Sequence, residues 1–317
     1  MRIIFMGTPD FAAGVLEAIV AENHHEVAAV VTAVDKAAGR GMKIQSSAVK
    51  LYAEKHQLPV LQPEKLRDEA FIESLSNFHA DIFVVVAFRM LPKAVWQMPP
   101  KGTINLHASL LPQYRGAAPI NWAIINGETV TGVTTFFINE QIDEGNMILA
   151  ENVPILKEDD AGTLHDKLLR LGKNLVLETL KQIANNTFIE KKQIISANEP
   201  LKTAPKLLKE NCVIDWNKNA EEIFHFIRGL SPYPGAFSRY KNKNGEESIL
   251  KIFSVDFMEE KHDFPLGMTL TDNKNYMRIF CENGSVFVKM LQLFGKKRMP
   301  VEEFLLGNKQ FNGILLY

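Results

Sequence analysis

One run of seven residues, Asp81–Ala87 (DIFVVVA), limits the fold more than any other part of the chain. Every position after Asp81 is apolar, so neither face of an extended backbone here can meet water. A strand covered on both faces belongs inside a parallel sheet with helices on either side. The surrounding sequence has the matching rhythm. Arg2–Met6 reads as a strand, Gly7-Thr8-Pro9-Asp10 as a turn, and Phe11–Val20 as a helix with Phe11, Val15, Leu16 and Ile19 on one face. Glu26–Thr32 is a second buried run, followed by a polar loop from Asp35 to about Ser47. A helix near Ala48–His56, a short strand at Leu58–Leu61 and a helix over Glu64–Leu75 complete the pattern. This alternation predicts a doubly wound α/β sheet.

The rhythm changes near residue 190. Leu164–Asn185 predicts a long closing helix, and Glu190–Pro205 is polar and ends in prolines. Beyond Glu210 one helix is expected at Glu221–Leu230. Short strands at Leu250–Phe257, Met277–Phe280 and Val286–Leu293 then have the spacing of a small β-barrel. With 317 residues, two domains are expected. We divide the chain into residues 1–189, a linker at 190–208, and residues 209–317. The formal net charge of −1 hides an asymmetry. Residues 1–190 carry 17 Lys and Arg against 22 Asp and Glu, whereas residues 191–317 carry 19 against 15. A basic field over the whole protein is excluded, but a local basic surface on the second domain is not.

Several classes are excluded. Gly7 and Gly14 do not make a GxGxxG, so the close approach of backbone to a dinucleotide pyrophosphate is missing. Cys212 and Cys281 form neither a CxxC nor a disulfide framework, and no cluster suggests a metal. No apolar run reaches the roughly 18–20 residues of a membrane helix. The opening MRIIFMGTPDFAAGVL has a single basic residue and an early turn, unlike a secretory leader. A reducing, cytoplasmic setting is expected.

The chemistry concentrates at Gly102–Pro112. Thr103, Asn105 and His107 alternate with Ile104 and Leu106, so an extended chain places the three polar side chains on one face. They approach the carboxyl end of a strand, where open α/β sheets bind ligands. An amide beside an imidazole suits acyl transfer: Asn105 to bond a developing oxyanion, His107 to move a proton. Thr131–Ile138 predicts the next strand, and its loop carries Glu140, Asp143 and Glu144, any of which can orient His107. Spacing does not choose among them.

The segment Asn105-Leu106-His107-Ala108-Ser109-Leu110-Leu111-Pro112-Gln113-Tyr114-Arg115-Gly116-Ala117-Ala118-Pro119-Ile120 closely resembles the signature of the 10-formyltetrahydrofolate-dependent formyltransferases. Ile142-Asp143-Glu144-Gly145 resembles their acidic loop. Gly7–Phe11, Ala38-Gly39-Arg40-Gly41 and Ile227–Phe237 resemble the branch that acts on aminoacylated tRNA, so the likeness runs the length of the chain. The resemblance implies a Rossmann-like formyltransferase domain followed by a small OB-like β-barrel that binds tRNA. It implies Asn105, His107 and Asp143 as the catalytic trio, and 10-formyltetrahydrofolate as the formyl donor, with no metal. It also implies that Ser109, Leu110, Leu111 and Pro112 hold the folate, with Phe88, Met90 and Leu91 in the stretch that lines its pocket. The acceptor implied is the α-amine of methionine on initiator tRNA, met in part by Lys36, Arg40 and Lys43 of the polar loop. No membrane association and no obligate protein partner are expected, and the chain is expected to be a monomer. Two departures stand out: Ala33-Val34 where the branch has a proline before Asp35, and Arg89 in a stretch that commonly carries glycine and aliphatic residues. A relative that formylates a small amine would need neither the second domain nor the Lys36–Lys43 loop. A binding module without turnover would not need the trio.

Overall fold

The computed structural model describes residues 1–38, 43–195, 200–242 and 244–317. Arg40 and the side chain of Lys43 lie outside what is described. Contacts divide the chain into two compact units. The first comprises Met1–Gly116, Thr131–Val153 and His165–Thr203; the second comprises Ala117–Val130, Pro154–Leu164 and Ala204–Tyr317. Two short stretches of the first half, Ala117–Val130 and Pro154–Leu164, thus group with the later residues.

The first unit is built on a seven-stranded sheet. Its strands run in the order Met147–Pro154, Val130–Phe137, Thr103–His107, Ile82–Val86, Arg2–Gly7, Glu26–Val31 and Val60–Leu61. From Thr103–His107 to Val60–Leu61 the neighbours are parallel, and Ile82–Val86 is buried at all five positions. Val130–Phe137 is antiparallel to Thr103–His107, so the sheet is mixed, not wholly parallel. Ile4, Met6, Phe83 and Val85 pack on one face with Phe71, Leu75 and Val95. On the opposite face Leu106 meets Gly172 of the long Ala161–Ala184 helix, where an added Cβ would sit 2.8 Å from Leu106 Cδ2.

Three local expectations are corrected. The helix expected over Glu64–Leu75 spans only Glu69–Ser76, because the Asp68 carboxylate accepts the amides of Ala70 and Phe71 and starts the helix there. Leu66 still reaches the same core as Phe71 and Leu75, which explains the helical spacing without a helix. The strand expected at Leu58–Leu61 is only Val60–Leu61. The polar loop after Asp35 contains a two-stranded hairpin, Lys36–Ala38 against Lys43–Gln45.

The second unit carries a six-stranded antiparallel sheet, with Ala236–Lys241, Glu247–Glu259, Gly284–Leu293, Met277–Cys281 and Thr269–Thr271 in that order and Met299–Pro300 on Gly284–Leu293. Register shifts between Ile252 and Val255 bend the long second strand, so the sheet curls. Its edges do not stay open. Tyr240 and Met268, at opposite ends of the strand order, bridge Leu316 and Leu315 respectively, so the C-terminal residues lie along both edges. Helix Ala220–Gly229, started by an Asn219–Glu222 capping box, buries Ile223 and Ile227 with Leu250, Ile252, Val286 and Val288 inside the curl. The two units are a Rossmann-like α/β domain and an OB-like curled sheet.

Candidate active site

Thr103–His107 lies between a parallel and an antiparallel neighbour, and its alternation sorts its side chains. Asn105 pairs with Val85 and Phe136, and His107 with Thr134. Thr103 is buried and donates its hydroxyl to Trp96 O at 2.7 Å, so the first polar residue of the face is structural. Asn105 is half-buried. Among the described residues its side-chain amide makes no hydrogen bond, which leaves a donor at the carboxyl end of a central strand.

His107 is 6% exposed and held on two sides. Its Nε2 lies 2.8 Å from the Tyr114 carbonyl oxygen; the carbonyl can only accept, so Nε2 carries a proton. Its Nδ1 lies 3.8 Å from Asp143 Oδ2, too far for a direct hydrogen bond. The other ring nitrogen, Nδ1, therefore faces a carboxylate. Asp143 adopts a left-handed backbone (φ 54°) and accepts the Gly116 amide on Oδ2 at 2.9 Å. The other two loop carboxylates have different partners. Glu140 pairs with Lys93, which holds its carboxyl below the usual range, and Glu144 pairs with Arg115 at 2.7 Å. Tertiary pairing thus makes the choice that spacing leaves open.

Gln193 joins the site from the stretch read as linker. Its Nε2 donates to Asp143 O at 2.7 Å and Gly145 O at 2.9 Å, and its Oε1 accepts from Arg115 Nη2 at 2.6 Å. Lys191 bridges Met147 in the same stretch. No local pattern announces Gln193, because a glutamine in a polar segment looks like any solvated residue. Gly145 is equally required: an added Cβ would lie 1.6 Å from Phe137 O.

The residues expected around a folate divide into buried and presented ones. Ser109 is fully buried and donates to Gln113 O at 2.6 Å, and its own carbonyl accepts the Thr134 hydroxyl at 2.7 Å. Leu111 is buried and donates its amide to Thr134 Oγ1, whereas Leu110 and Pro112 are half-buried. Ser109 and Leu111 therefore brace the turn that presents Leu110 and Pro112. Phe88 packs at the margin of the core, Leu91 lies within it, and Met90 is 74% exposed. The unusual Arg89 folds back, donating to the carbonyls of Pro63 and Glu64 with its guanidinium over the Phe88 ring. Lys36 is exposed at the foot of the hairpin. Among the described residues no group of three or more His, Cys, Asp or Glu is placed to share a metal ion. No described helix is long and apolar enough to cross a membrane.

The formyl transferase family matches residues 1–180, and the formyl transferase C-terminal domain family matches residues 206–309. A methionyl-tRNA formyltransferase of Bacteroides thetaiotaomicron is 51% identical over 315 residues, covering 99% of this chain and 97% of its own. One of Flavobacterium johnsoniae is 54% identical over 307 residues, covering 97% and 96%. Among solved structures, WlaRD, a sugar 3N-formyltransferase with dTDP and 5-N-formyl-THF, superposes with a TM-score of 0.65 at 20% identity, covering 94% of this chain and 99% of its own. HypX from Aquifex aeolicus in complex with tetrahydrofolic acid gives a TM-score of 0.62 at 20% identity, covering 97% of this chain and 47% of its own. At these identities the two structures speak for the fold.

Proposed function

The chain belongs to the methionyl-tRNA formyltransferase family, and from that premise we infer that it transfers a formyl group from 10-formyltetrahydrofolate to the α-amine of methionyl-initiator-tRNA. The observation that carries the chemistry is an amide with no hydrogen-bond partner among the described residues, two residues from a histidine whose Nδ1 faces a carboxylate. The donor supplies an activated formyl carbon on N10. The neutral amine attacks that carbon, a C–N bond forms, and the carbonyl electron pair moves onto oxygen. We assign Asn105 and protonated His107 to that oxyanion; losing one such donor costs about 10²–10³ in rate. Asp143 holds His107 and relays the amine's proton towards N10 as the C–N10 bond breaks. Positioned proton transfer contributes about 10²–10⁴-fold.

We assign Leu110 and Pro112, braced by Ser109 and Leu111, to the folate, with Phe88 and Met90 on its approach and Leu91 supporting them from the core. Lys36, Arg40 and Lys43 meet the tRNA backbone. In this division of labour residues 1–189 catalyse, 190–208 link, and 209–317 hold tRNA. Asn105, His107 and Asp143 all come from one compact unit, which supports a site complete in a monomer; we place its action in the cytoplasm, where initiator tRNA is charged. Single-turnover transfer of labelled formyl to charged initiator tRNA tests the reading, with a small primary amine as the control acceptor. Label confined to the methionyl-tRNA supports it, and label on the amine with tRNA ignored overturns it.

A further inference from the structure

The hairpin Lys36–Ala38/Lys43–Gln45 forms a two-stranded sheet of its own, and among the described residues no strand of the main sheet pairs with it. An isolated two-stranded hairpin is marginal in water, so its direction depends on what grips its feet. Both feet are gripped by the same residue. At the first, Asp35 Oδ2 accepts Lys50 Nζ at 2.5 Å, and Asp35 Oδ1 accepts Gln62 Nε2 at 2.9 Å. Gln62 Nε2 also donates to Ala33 O at 2.7 Å, which ties the approach to the edge strand of the sheet. At the second foot, Ser47 Oγ lies 2.7 Å from Thr32 Oγ1 and accepts the backbone amide of Lys50 at 3.0 Å, capping the Ala48–Lys55 helix.

Lys50 is thus a cation beside a basic hairpin that is not offered to a phosphate. Its side chain is only 16% exposed, its partner carboxylate 26%, and its charge is neutralised where it stands. Pairing pushes the Asp35 carboxyl below its ordinary range and the Lys50 ammonium above its own, so both stay ionised at neutral pH.

We propose that Asp35, Lys50 and Gln62 are positioning residues for the tRNA: they set the direction of the basic hairpin and do not touch the acceptor themselves. This rests on the reading above that Lys36, Arg40 and Lys43 meet tRNA.

The test compares the full-length wild type with Lys50→Met, Lys50→Arg and Arg40→Ala, measuring kcat and KM for charged initiator tRNA and for 10-formyltetrahydrofolate. If removing the grip leaves the hairpin correctly placed about a tenth of the time, the tRNA KM of Lys50→Met rises about tenfold. Its kcat and folate KM stay at the wild-type values, and Lys50→Arg, which keeps the ion pair, restores the tRNA KM. A wild-type tRNA KM for Lys50→Met, with a raised one for Arg40→Ala, overturns the anchor alone. No effect of Arg40→Ala overturns the hairpin reading and the anchor with it. A Lys50→Met variant that loses kcat and folate affinity together marks the network as support for the whole domain, which also overturns the proposal.

Discussion

His107 is gripped by two neighbours that make different demands of its ring. Tyr114 O fixes the proton on Nε2, and Asp143 waits 3.8 Å from Nδ1. His107→Ala therefore removes the imidazole from between them, and single-turnover transfer should fall about 10²–10⁴-fold with tRNA affinity retained. A near-wild-type rate would remove His107 from the chemistry. Gln193→Ala leaves the trio intact but releases the carbonyls of Asp143 and Gly145. Its kcat should fall several-fold, with both KM values steady. A change confined to the tRNA KM would place Gln193 at the acceptor instead. At this scale the sequence was partly legible. Alternation along Thr103–His107 put Asn105 and His107 on one face, because strand geometry is local. Gln193 was hidden, because what it does is defined by three partners 48 to 78 residues away.

The acidic loop and the C-terminal segment show the same contrast among elements. Gly145 has no room for a methyl group, since its Cβ would overlap Phe137 O, whereas Gly307 has nothing within 4 Å of one. Gly145→Ala should push the loop and Asp143 away from His107 and lower kcat, while Gly307→Ala serves as the neutral control. Equal kcat values for the two variants would show that the loop tolerates displacement. In the curled sheet, Arg239 and Tyr317 exchange both backbone hydrogen bonds, at 2.8 and 2.9 Å, and Leu316 donates to Gly267 O at 2.9 Å. Leu316 is 2% exposed, so Leu316→Ala should cost about 2–5 kcal/mol in denaturant unfolding. A loss under half of that range would mean the barrel holds without its closing segment. The strands around Leu250–Phe257, Met277–Phe280 and Val286–Leu293 were readable from apolar runs and turns, whereas Ala236–Lys241, Thr269–Thr271 and Met299–Pro300 were not. Closure was not, because Ile314–Tyr317 is four residues with no periodicity to read.

On the scale of the whole molecule, tRNA and folate should respond differently to salt. Contacts to a polyanion release counterions, so the tRNA KM should rise linearly on a log–log plot against salt while the folate KM changes little. Parallel curves would mean that salt acts on the fold. Stability should also fall in alkali. Burial raises the Cys281 thiol from its ordinary 9.0 to about 11, so the folded state holds that proton more tightly than the unfolded chain. This contribution is complete below pH 9 and is lost as the pH rises through 11. A Cys281→Ala variant should lose that alkaline slope; an unchanged slope would assign it to another group. What depends on near neighbours was open to reading along the chain: the buried central strand, the polar face of Thr103–His107, the strand–helix alternation of the first half and the barrel rhythm of the second. Tertiary structure decided what depends on distant partners. It chose Asp143 for His107 by pairing Glu140 with Lys93 and Glu144 with Arg115, and it brought Gln193 back to the acidic loop. It also gave both feet of the hairpin to Lys50. Periodicity records which face of an element is apolar. It carries no record of which charge meets which, because that is settled only when the chain has closed on itself.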